Sequence, residues 1–166
     1  MVAIAALSVV GCGYRFVGYA GAREAGRSVA VRTLGNESSE PGVEMMVSDA
    51  LRRQVLRRGA LRLVRDADDA DFVVTGSVLP ILTTARSFSS VVLALEYTVT
   101  LALQLDIAKS DGSRRALDPS SLRESEIYLA SADVEIGRKN REEALRRLSV
   151  LLASRVHDVL DEELLP

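Results

Sequence analysis

The chain has 166 residues, 48% apolar, 27% charged and 4% aromatic, with 21 Lys and Arg against 23 Asp and Glu for a formal net charge of −2. That length suits one globular domain. The charge balance argues against a nucleic-acid binder, which concentrates positive charge, and the apolar content argues against a disordered tail. A single His (His157), a single Cys (Cys12) and no Trp exclude a Cys/His zinc cage, a Cys–His nucleophile pair and an internal disulfide. What remains is a binding or structural protein rather than an enzyme, with no metal and no cofactor.

Val2 to Val10 are small or apolar and uncharged, and Gly11 precedes Cys12. This run is too short for a spanning helix, which needs about 20 residues, and it suits the core of a secretory signal. The pattern resembles a bacterial lipobox, which implies cleavage before Cys12 and acylation of that cysteine as the lipid anchor. Gly13, where an inner-membrane retention signal would show Asp, implies sorting to the outer membrane. Residues 1–11 are therefore expected to be the signal peptide, 12–27 a lipidated tether, and 28–162 a single α/β sandwich domain.

Ser28 to Leu34 is β-branched and roughly alternating, which predicts a first strand. Gly35 to Gly42 is dense in turn residues, with Ser39 or Glu40 as the expected helix cap and Pro41 in the first turn. A helix follows to about Arg58, closed by Gly59. Leu61 to Val64 reads as a short strand or extended segment, Asp66 to Asp71 as a solvated loop lacking the Gly and Glu of a calcium site, and Phe72 to Leu82 as a strand. Thr83 to Ser90 reads as a hairpin loop. From Val91 to Ile107 every odd position is apolar, so a long strand with one buried face is expected. Ser110 to Ser113 is a turn, and Glu126 to Ile136 reads as the last strand. Asn140 with Glu143 has capping-box spacing, opening a helix with Leu145, Leu148, Leu152, Val156 and Val159 on one side to about Leu160. The predicted class is α+β: a two-layer sandwich in which an antiparallel or mixed four-stranded sheet is covered on one face by two helices, in the order β-α-β-β-β-α.

Gly13-Tyr14-Arg15-Phe16 after the lipobox, Asn36 followed by Glu40-Pro41-Gly42-Val43-Glu44, Arg62-Leu63-Val64, Ala70-Asp71 with Gly76, Glu96-Tyr97-Thr98-Val99, and Glu143-Ala144 with Leu148 together resemble the LPS-assembly lipoprotein family (LptE). The resemblance implies a non-enzymatic, lipid-anchored subunit of the outer-membrane lipopolysaccharide translocon, facing the periplasm and barrel lumen. Its implied partners are an LptD-type β-barrel, lipopolysaccharide and outer-membrane lipids. Basic residues in the 83–90 hairpin and at the 137–140 corner are implied to meet lipopolysaccharide, which selects Arg86, Arg138 and Lys139, with Arg141 at the fringe. Arg forks match lipid phosphates. The N-terminal half also resembles other periplasmic lipoprotein modules, so an adaptor of another envelope complex is the alternative. Arg52, Arg53, Arg57, Arg58, Arg62 and Arg65 read as a solvated basic face, and Tyr97 and Tyr128 as core positions.

Overall fold

The computed structural model describes residues 27–88 and 94–164. Within them lie β1 (Ser28–Val31), β2 (Gly35–Asn36), α1 (Val43–Arg58), β3 (Arg62–Val64), a 3-10 turn (Ala67–Asp69), β4 (Phe72–Val78), β5 (Leu82–Phe88), β6 (Ala94–Lys109), β7 (Arg114–Ala116), β8 (Arg123–Leu129) and α2 (Val134–Leu164). The sheet is mixed, with the order β3-β1-β4-β6-β5. β1 runs parallel to β3 and β4, and β4 is antiparallel to β6. The two-layer α+β class holds. The expected four strands become eight: the short segment expected near 61–64 counts as strand β3, and β2, β5 and β7 are added.

β6 organises the sheet. Its 16 residues span about 50 Å at roughly 3.3 Å per residue, longer than any neighbour, so shorter strands pair end to end along each edge. β4 and β5 share one edge, broken at Leu79-Pro80-Ile81 because Pro80 has no N–H to give the ladder. β7 and β8 share the other, bridged by Leu117 N–H to Leu105 O (2.9 Å) and Leu103 N–H to Leu122 O (3.0 Å). The predicted period-2 pattern is real: Val99, Leu101, Leu103, Leu105 and Ile107 are buried under the helices. Positions 91–93 lie outside the described residues.

α1 buries Val43, Val47, Ala50, Leu51 and Val55, and α2 buries Leu145, Leu148, Leu152, Val156 and Leu160. The two helices run parallel. Arg141 pairs with Glu40 just before α1, 101 residues apart, and Gln54 meets Ser154, 100 residues apart. At the far end Arg58 pairs with Asp158 (3.1 Å). His157 is buried on α2, its Nδ1 3.2 Å from Asp161 Oδ2 without a well-aligned hydrogen bond. Burial pushes its pKa down and Asp161 opposes that, so the ring packs as a neutral group.

Several boundaries differ from the sequence-based expectation. β1 stops at Val31, and Leu34 stays buried with its N–H donating to Ser48 Oγ (3.0 Å). Neither Ser39 nor Glu40 caps α1; Gly42 does, at φ 80, a conformation that glycine adopts without a Cβ penalty. Gly59 closes α1 as expected, its N–H reaching Val55 O. The strand expected over 72–82 ends at Val78, and the expected 83–90 hairpin loop is largely strand β5. The last strand is 123–129 rather than 126–136, and Asn140 does not cap α2. Asp133 does: its Oδ1 accepts the N–H groups of Glu135 (2.8 Å) and Ile136 (3.2 Å). Asn140, inside the helix, donates to Leu129 O instead (3.0 Å). The apolar alternation through Val134 and Ile136 mimics a strand because both residues face outward in the first helical turn, where Val134 is 85% exposed.

Candidate functional site

The site forms where β8 hands over to α2. Tyr97 on β6 pairs with Tyr128 on β8, so both rings project from the helix-facing side of the sheet and stack at 5.5 Å between centroids. α2 crosses β8 and is tied to it by arginines. Arg155 pairs with Glu124, Arg147 with Glu126 (3.0 Å), and Arg141 Nη1 approaches the Tyr128 hydroxyl (3.5 Å). Between the first turns of α2 and the end of the sheet lies a groove of about 700 Å³. Leu95, Tyr97, Tyr128, Ala130, Ala132 and Val134 supply its apolar floor and wall, and Arg138 and Arg141 its cations.

The two arginines lie three residues apart, on one face of the helix. Arg141 is held: Nε donates to Glu40 Oε2 (2.8 Å) and Nη1 to Thr83 Oγ1 (2.7 Å), fastening α2 to the entry of α1 and to β5. Burial works against its charge, but the bonds to Glu40 and Tyr128 outweigh this and raise its pKa. Arg138 is exposed and gripped by Glu135 (2.7 Å) and Glu142 (3.0 Å). The same Arg138 hydrogen bond holds the Glu135 carboxyl below the usual carboxylate range. Among the described residues no acidic side chain lines the 700 Å³ groove, whereas Glu40 and Glu142 line a neighbouring hollow of about 450 Å³ that shares Arg138. Charge is thus sorted between the two: cations on an apolar groove, carboxylates behind them.

The candidate residues are only partly brought together. Arg138 lines the groove, while Lys139 points outward, its Nζ 3.9 Å from Glu135. The 137–140 segment is helix rather than a corner. Arg86 sits on β5 at the register shift between Ala85 and Ser87, at the Tyr97 end of β6 but outside the groove lining, and makes no ion pair among the described residues. Cys12 lies outside the described residues. Arg141 lines the groove beside Arg138; Tyr97 and Tyr128 are half-buried and line it too, with Tyr128 packed against the core as expected. The signal for both tyrosines is two aromatics on strands that pair, Tyr97 in an aliphatic stripe on β6 and Tyr128 in line with Glu124 and Glu126 on β8. Among the described residues no cluster of three His, Cys, Asp or Glu side chains is placed to hold a metal ion.

The fold is a two-layer α+β module with a cation-rimmed apolar groove. It is similar to the rare lipoprotein B of Shewanella oneidensis (TM-score 0.58, 13% identity, covering 80% of this chain and 96% of that one). It is also similar to lipoprotein B of Nitrosomonas europaea (TM-score 0.52, 12% identity, 87% and 88% covered) and a minor lipoprotein of Acinetobacter baumannii (TM-score 0.51, 15% identity, 84% and 96% covered). At such identities these likenesses establish the fold alone. The family model for LptE, lipopolysaccharide assembly, matches residues 26–160. The chain belongs to the LptE lipopolysaccharide-assembly family. No curated protein sequence matches it.

Proposed function

We propose that the protein is an outer-membrane lipoprotein of the lipopolysaccharide translocon, anchored through acylated Cys12 and facing the periplasm and barrel lumen. It plugs an LptD-type β-barrel, assists the assembly of that barrel, and binds lipopolysaccharide during insertion into the outer leaflet. It acts by binding, not by catalysis. The observation that carries the lipid-binding part is the placement of Arg138 and Arg141 over an apolar floor to which no carboxylate of the described residues contributes, in a member of a lipopolysaccharide-assembly family. Lipid A combines acyl chains with phosphates, and such a groove offers a surface for each: apolar area for the chain and guanidinium forks for the phosphate. Lys139 and Arg86 serve as outer contacts for further anionic groups.

In-cell crosslinking followed by a tagged pull-down from outer membranes tests the partnership. A large β-barrel protein at about one-to-one stoichiometry is expected, with loss of surface lipopolysaccharide on depletion. Recovery of periplasmic or self partners with no barrel would instead move the function to an adaptor of another envelope complex.

A further inference from the structure

We propose that Glu135 and Glu142 are built-in competitors at Arg138, so that a phosphorylated lipid enters the groove by exchanging its phosphate for their carboxylates. The inference rests on the lipid-binding reading above. Arg138 Nε and Nη2 donate to the two oxygens of Glu135 (3.0 and 2.7 Å), and Nη1 donates to Glu142 Oε2 (3.0 Å). The Nε–Nη2 edge is the one that presents two parallel donors to a planar or tetrahedral anion, and Glu135 already fills it. A phosphate cannot take the same edge without displacing that carboxylate.

The exchange is easy because the cluster is wet. Arg138 and Glu135 side chains are both 57% exposed and Glu142 is 56% exposed, and exposed pairs of this kind hold weakly. Arg141 differs. It is less than half as exposed, bound to Glu40 in the turn before α1, Thr83 on β5 and Tyr128 on β8, and therefore positions the groove rather than trading partners. The two arginines thus divide the work: Arg141 fixes the frame, and Arg138 swaps a carboxylate for a phosphate and back. An internal competitor weakens the bound state and speeds release, which suits a protein that passes its cargo on.

The test is equilibrium binding of the full chain to phosphatidylcholine vesicles containing either diphosphoryl lipid A or the same lipid stripped of its phosphates. The double variant Glu135→Gln with Glu142→Gln should bind the phosphorylated vesicles about three- to tenfold more tightly than wild type, with no gain on the dephosphorylated ones. Adding Arg138→Ala to the double variant should abolish the gain. Asp66→Asn with Asp68→Asn removes the same net charge from an exposed loop elsewhere and should not reproduce it. Because Glu135 lies in the first turn of α2, Glu142→Gln alone serves as the test variant if circular dichroism shows the double variant to be less folded. Unchanged affinity in the Gln variants, or an equal gain in the loop control, would overturn the competitor while leaving the lipid-binding reading intact. Failure of wild type and variants alike to bind phosphorylated vesicles would overturn both.

Discussion

Gly76→Ala should be the most damaging single-methyl change in this protein. Gly76 sits in β4 opposite Leu105, at φ 148, where L side chains are rarely accommodated. A Cβ there would lie 2.0 Å from Gln104 O and 2.9 Å from Leu105 Cα. Both are backbone atoms of the central strand, so no side chain can swing aside to make room. Relief requires parting β4 from β6, the junction between the parallel and antiparallel halves of the sheet. Strain and clash together should cost about 3–5 kcal/mol, a large share of the roughly 5–15 kcal/mol that holds a domain folded. Urea denaturation followed by circular dichroism should show a much lower midpoint or no folded baseline. A midpoint equal to wild type would mean that β4 and β6 do not approach each other as described.

Leu103→Ala should come next. Leu103 is fully buried on β6, at the point where the flanking strands change over on both edges. Its side chain lies in the layer shared by the sheet and both helices, and the surrounding backbone is pinned by hydrogen bonds on two sides, so the cavity left behind cannot collapse freely. A loss of about 2–5 kcal/mol is expected. Leu151→Ala, on the 51%-exposed face of α2, should stay within about 0.5 kcal/mol of wild type. Equal losses at the two positions would contradict the assignment of the buried face.

How much could be read in advance follows from how local each signal is. The buried face of β6, the span of α1 and its Gly59 stop, and the apolar stripe of α2 are periodic over many residues, and packing simply reinforces them. β5 was hidden because its 82–88 segment, LTTARSF, has little apolar content; it is a strand because β6 is long enough to need a second partner beyond β4. The start of α2 was misplaced because Val134 and Ile136 extend an alternating pattern while Asp133 caps from outside any capping box. That misplacement mattered for the site. With α2 beginning at Val134, Arg138 and Arg141 fall on one helical face above the tyrosine pair, and the groove comes into being. Its cations were visible in the sequence. The pairing of Arg138 with Glu135 and Glu142 has the i,i+3 and i,i+4 spacing of a helix, and counts only once the helix starts at Val134; the contact of Arg141 with Glu40, 101 residues away, has no local signal.

The most direct measurement is site-specific photo-crosslinking in living cells, with a photoreactive phenylalanine analogue replacing Leu95 on the groove wall or Leu151 on the outer face of α2. The account predicts an ultraviolet-dependent adduct with lipopolysaccharide from the Leu95 position and none from Leu151. Adducts of equal yield from both positions, or from Leu151 alone, would contradict the assignment of lipopolysaccharide to this groove.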